Sequence, residues 1–172
     1  ISMENLKNCI NNDLANNYGN LCQRVFAFIK KNCGNKIPKS VSLSNKDKAL
    51  TNKLKNDITK LSELINNQNL NIYIKKVIEY SFDSNKYFND LEPWSLKKTN
   101  INRMNSVLYS IVEQIKNISI LLLPIIPNSA NKILDILNIE TASRSISQIE
   151  KENTLNHEAE LGNIEILFKK VE

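Results

Sequence analysis

Glycine is scarce in these 172 residues: there are 3, beside 4 prolines, 3 cysteines, 1 tryptophan and 1 histidine. Each scarcity removes a kind of chemistry. So few glycines leave no glycine-rich loop whose backbone could cradle a phosphate, and no G-x-S-x-G turn for a nucleophilic serine. The histidine, His157, cannot make an H-E-x-x-H pair. It lies in a polar, acidic C-terminal stretch, where a solvated side chain is expected rather than a base or ligand. The cysteines have no C-x-x-C spacing; Cys9, Cys22 and Cys33 would share one long helix, several turns apart and beyond disulfide reach, and read as reduced thiols of a cytosolic protein. The carboxylate pairs Asp90/Glu92 and Glu158/Glu160 lack a pocket partner and read as solvated. Neither a catalytic residue nor a metal site is expected in this chain.

Long apolar runs are missing too. The longest, 118–126, is about half a membrane span and is broken by Pro124. With no signal peptide pattern, the expectation is a cytoplasmic protein without a membrane partner. The chain opens Ile1-Ser2-Met3 with a helical pattern already running, as a fragment of a longer protein would.

Asparagine is plentiful, with 28 residues beside abundant isoleucine and lysine, the amino-acid shadow of an AT-rich coding sequence. Any single asparagine is therefore a weak signal. An apolar content of 41% over 172 residues is enough for one domain with a real core. The net charge of +5 hides an asymmetry: residues 1–134 carry 19 basic against 10 acidic side chains, and residues 135–172 carry 4 against 8. An anionic partner such as a polyphosphate backbone would account for the basic part; so would lysine bias from the same codons.

Periodicity is helical almost throughout. A first helix is expected over 3–32, ended by Gly34, and a loop over 35–45 containing Pro38 leads to a cap at Ser44 or Asn45. A second helix carries Ala49, Leu50, Leu54, Ile58, Leu61, Leu64 and Ile65. After a polar break at 66–69, a third spans 70–90, with Ile74, Val77, Ile78, Ser81, Asn85 and Phe88 on its inner side. Pro93 restarts the backbone for a short turn over 94–98. A fourth helix covers 101–123, and Asn128 or Ser129 would cap a fifth running to 137. The fold class is therefore all-α, an antiparallel bundle of four to five helices over 1–140. The remainder, 141–172, reads as an extended tail ending in the alternating run 164–168. It would pack back on the bundle or on a domain absent from this chain.

Two patches could carry function. With Leu14 at angle zero, Tyr18, Leu21, Val25, Phe28 and Ile29 fall within roughly 60° of it, while Asn17, Asn20 and Arg24 line the flank. Asn20 and Arg24, at i and i+4, could offer an amide and a forked guanidinium to a pyrimidine edge. Alternatively Arg24 snorkels beside the core with its head on Asp13 or in solvent. Trp94, behind Pro93, is either an exposed platform on which an unstacked base could lie or a buried lock between the third and fourth helices.

The order Asn-Asp-Leu-Ala-Asn-x-x-Gly-Asn-Leu-x-x-Arg-Val over 12–25 is followed by Asn85-Lys-Tyr-Phe-x-x-x-x-Pro93-Trp94-x-Leu-x-Lys98, then by Leu108-Tyr and Leu122-Leu-Pro-x-x-Pro127. Together these resemble, nearly end to end, the C-terminal anticodon-binding domain of methionyl-tRNA synthetase, a class I aminoacyl-tRNA synthetase. The closing Leu167-Phe-Lys-Lys-Val-Glu172 is similar to the Leu-Phe-Pro-Arg-Ile-Glu of many bacterial members, with Lys169-Lys170 in place of Pro-Arg. The resemblance implies recognition of the CAU anticodon, above all its cytosine, by Asn20, Arg24 and Trp94, with Pro93 shaping the contact and Asn17, Asn89 and Lys97 as secondary RNA contacts. Some members carry an acidic residue where this chain has Asn89. It further implies that ATP and Mg²⁺ act in an N-terminal Rossmann catalytic domain, whose His-Ile-Gly-His-like and Lys-Met-Ser-Lys-Ser-like signatures do not occur here. This chain alone would then bind the anticodon stem-loop of tRNA(Met) but not aminoacylate it, with that catalytic domain as its second partner. The alternatives are the equivalent domain of a leucine, valine, isoleucine or cysteine synthetase, or a helical interaction module without an RNA partner.

Overall fold

A computed structural model describes residues 4, 5, 8 and 10–164. The expected helix start at Met3, Cys9, and residues 165–172 with the closing motif lie outside the described residues. Among the described residues the regular structure is helical, without a strand, so the all-α bundle holds.

The first helix is not uniform. Glu4, Asn5 and Asn8 are α-helical, Ile10–Tyr18 is a π-helix, and α1, Gly19–Asn32, continues it. Leu14, Tyr18, Leu21, Val25 and Ile29 are buried as the wheel predicts, but Cys22 and Phe26 are buried with them and Phe28 is only half-buried. The buried face is thus turned away from Phe28, which is left at the rim beside Arg24. Tyr18 is anchored by donating to the Ile115 carbonyl at 2.8 Å, and its hydroxyl lies 3.0 Å from Ser119. Burial pushes the Cys22 thiol far above its ordinary range. Gly34, at φ +61°, ends α1 in the left-handed conformation, and the amide of Asn35 returns to the Ile29 carbonyl.

Ser44 and Asp47 form a reciprocal capping box at the start of α2, Asn45–Asn56. The expected single second helix is divided: Asp57 breaks it, and α3 follows as Ile58–Asn66. The break has a cause, since the Asp57 carboxylate accepts a hydrogen bond from Tyr80 and lies 3.8 Å from Lys76, both on the next helix. That helix, α4, is Leu70–Leu91, and it ends at Glu92, a non-glycine residue at φ 47°. Pro93 then opens α5, Pro93–Thr99, and Asn100 caps α6, Ile101–Leu122, by accepting from the Arg103 amide at 3.1 Å. From Ser106 to Leu122, α6 is buried almost all round, and α1, α2, α4, α5 and α7 pack about it. No side-chain cap from Asn128 or Ser129 starts α7, Pro127–Ile136; instead Pro127 occupies the first helical position, where its missing N–H leaves no bond unmade.

After α7 the chain has two short 3₁₀ turns, Thr141–Ser143 and Ile146–Gln148, and is otherwise irregular. It crosses the bundle with Ile149, Leu155 and Leu161 buried. The Leu161 amide donates to the Asn35 carbonyl at 2.8 Å, and the Gly162 amide to the Ile136 carbonyl at 3.0 Å. Lys116, only 2% exposed, pairs with Glu113 at 3.0 Å and donates to Thr154 of this segment. His157 is half-buried rather than solvated. Its Nδ1 lies 2.9 Å from the Ile37 carbonyl oxygen and its ring stacks on Tyr109, 5.9 Å between centres.

Candidate nucleic-acid interface

Glu92 and Pro93 place Trp94. A left-handed residue followed by a proline at the first helical position turns α5 sharply away from α4. Pro93 is buried in that turn, whereas Trp94 is 39% exposed. The buried-lock alternative is thereby excluded. Trp94 meets Phe88, near the end of α4, edge to face, with ring centres 5.6 Å apart and planes at 73°.

Phe88 also receives Arg24. The guanidinium carbon stands 5.1 Å from the Phe88 ring centre, within cation–π range, and Nη2 donates to Asn89 Oδ1 at 2.9 Å. The head of Arg24 is therefore neither on Asp13 nor free in solvent. Arg24 and Trp94, 70 positions apart in sequence, are held beside one another over a common aromatic floor. Between α1 and α5 they open a groove of ≈ 850 Å³, whose walls include Ala27, Phe28 and Lys31 on one side and Lys97, Lys98 and Thr99 on the other.

Of the residues singled out from the sequence, Arg24, Trp94 and Lys97 line this groove directly, Asn89 fixes Arg24, and Pro93 sets the turn beneath Trp94. Asn20 is exposed one turn before Arg24 on the same row of the helix, outside the groove walls. Asn17 is half-buried in the π-helical part and does not line the groove. Phe88, Lys31 and Lys98 were not anticipated. Lys31 could have been, because Arg24, Phe28 and Lys31 stand at i, i+4 and i+7 and share a face. Phe88 was legible only as an inner residue of its own helix; nothing local shows which side chains meet it.

Among the described residues, no group of three or more His, Cys, Asp or Glu side chains is placed to hold a metal ion, and no helix is long and apolar enough to cross a membrane.

A helical bundle presenting an exposed aromatic ring, a guanidinium and lysines in one open groove has the makings of a single-strand nucleic-acid binder. The comparisons with known proteins are specific. Residues 37–172 match the family model described as the anticodon binding domain of methionyl tRNA ligase, and the chain belongs to that family. It is 35% identical over 148 residues to the methionine–tRNA ligase of Brucella suis, covering 86% of this chain and 29% of that protein. With the corresponding ligase of Rickettsia conorii it shares 33% over 172 residues, 98% of this chain and 34% of that one. In structure it superposes on the apo form of Mycobacterium tuberculosis methionyl-tRNA synthetase with a TM-score of 0.87 at 27% identity, across 100% of this chain and 35% of that one. The same enzyme in complex with methionyl-adenylate gives 0.84 at 28% identity, across 95% and 32%. The chain thus spans about a third of the length of the relatives it matches. Asn20 and Arg24 precede the range of the family model, but fall within the superposition on the apo enzyme.

Proposed function

We propose that the groove reads the CAU anticodon of tRNA(Met). The observation that carries this reading is the shared Phe88 floor, which presents an exposed Trp94 ring and the Arg24 guanidinium side by side. Cytosine, splayed out of the loop, stacks on Trp94, and the forked donors of Arg24 reach its O2 and N3. Asn20, exposed along the same row as Arg24, adds an amide to the base edge, with Asn17, Asn89 and Lys97 at the periphery and Pro93 holding the turn. In the full-length protein this recognition would serve the attachment of methionine to tRNA with ATP and Mg²⁺ in the cytoplasm. That chemistry would lie in the part of the relatives' length that this chain does not span, a catalytic domain that is also its partner. Residues 1–140 would form the recognition bundle, and 141–172 a tail bracing it or that domain.

The test is binding of anticodon stem-loops that differ only in the anticodon. Arg24→Ala and Trp94→Ala should each weaken CAU binding by about 1 to 3 kcal/mol, with helicity by circular dichroism unchanged. Two folded variants that bind CAU as tightly as wild type would show that the site lies elsewhere.

A further inference from the structure

The groove does not stop at the base-sized end. From Arg24 to Lys31 α1 advances seven residues, about 10 Å along its axis, and the opposite wall moves in parallel from Trp94 to Lys97, Lys98 and Thr99. Trp94 and Phe88 stand with Arg24 at one end, and Lys31, Lys97 and Lys98 line the groove beyond them. No carboxylate is among the groove walls, and Lys31, Lys97 and Lys98 make no ion pair among the described residues. All three lysines are exposed. The charge of Lys97 pulls against the burial that raises the Cys33 thiol at the end of α1.

We propose that Lys31, Lys97 and Lys98 form a phosphodiester subsite that holds the backbone of the bound strand adjoining the base stacked on Trp94, a role that rests on the anticodon reading above. A flexible ammonium is suited to this, because it neutralises a phosphate without demanding a fixed base geometry. The competing use of these lysines is local, since Lys31 and the Lys97–Lys98 pair lie in the last turns of α1 and α5, where cations complement the carbonyl ends. The two uses differ in what salt does. A lysine that displaces counterions from the nucleic acid steepens the fall of log K with log salt by about 0.7 per single-strand phosphate, whereas a helix-end lysine leaves that slope alone.

The experiment uses the full-length protein and a CAU tRNA, with affinity measured across a salt series. The double variant Lys31→Gln/Lys98→Gln should bind more weakly at low salt, with a slope shallower by about 1.4, and should keep the wild-type preference for CAU over other anticodons. Lys31→Arg/Lys98→Arg should restore the slope. A slope equal to wild type, with or without a loss of stability, would overturn the proposal. So would a slope that falls together with the anticodon preference, because the lysines would then be reading bases. Trp94→Ala supplies the contrast: it should lower the CAU preference at an unchanged slope. A Trp94→Ala protein as selective as wild type overturns the anticodon reading, while the slope of the lysine variant is scored separately.

Discussion

Phe88 sets the geometry of two groups that belong to other helices, Arg24 on α1 and Trp94 on α5. Its ring carries the Arg24 guanidinium and meets the Trp94 ring, so its shape fixes how far apart the two stand. Replacing it by leucine keeps an apolar side chain in the bundle but removes the face on which the guanidinium rests and the edge-to-face contact with tryptophan. Phe88→Leu is expected to cost about 1 to 2 kcal/mol of stability, read from the urea midpoint, and to weaken CAU stem-loop binding about tenfold. A variant that binds as wild type would show that Arg24 and Trp94 need no common floor. Arg24 and Trp94 were readable in the chain through the spacing of Asn-Leu-x-x-Arg and Pro-Trp and the family resemblance it carries, each having a purely structural reading when taken alone. Their common partner was not. Helical periodicity tells that Phe88 points inward, but the choice of which inward side chain bridges two other helices is made by packing at long range.

Of the helix ends in this fold that pass through the left-handed conformation, those at Gly34 and Glu92 have opposite fitness for it. At Gly34, φ +61°, an added Cβ would meet nothing within 4 Å, so Gly34→Ala should lose only the backbone penalty, about 1 kcal/mol. Glu92, φ 47°, bears that penalty already, and Glu92→Gly should gain up to about 1 kcal/mol by the same argument. Opposite shifts of the thermal midpoint check the pair; shifts of one sign would show that side-chain contacts, not backbone conformation, dominate at these ends. The sequence marked where most helices begin and stop, because Ser44, Gly34 and Pro93 act through bonds and sterics within a few residues. It failed at Asp57, Pro127 and the π-helical stretch Ile10–Tyr18. Asp57 bonds to Tyr80 and lies near Lys76 of another helix, and the expected cap at Asn128 or Ser129 gives way to Pro127 at the first helical position. No sequence signal was found for the π turn.

The whole molecule is held at one point by a carboxylate from which three helices diverge. Asp47, 1% exposed at the start of α2, receives both Arg103 nitrogens from α6, at 2.6 and 3.0 Å, and the Tyr87 hydroxyl from α4. Burial alone would raise its carboxyl, but the hydrogen bonds from Arg103 and Tyr87 outweigh that and hold it below the ordinary range. A carboxyl depressed in the folded state contributes stability above its unfolded value of about 3.9, and that contribution is lost as pH falls through it towards the folded value. The urea midpoint should therefore drop below about pH 4. Asp47→Asn should flatten that drop while costing about 3 kcal/mol at pH 7, since it leaves the Arg103 charge without its partner. An equally steep acid drop in the variant would assign acid sensitivity to other carboxylates. The segment after α7 has a different consequence, in the order of assembly. Leu161 bonds to Asn35 across 126 positions, whereas every side chain lining the groove lies within the first 99 residues. Once α6 is present for α1, α4 and α5 to pack on, these helices can therefore shape the groove before the segment after α7 docks. The contact that ties Asn35 to Leu161 carries the larger loop-closure entropy and completes the bundle last.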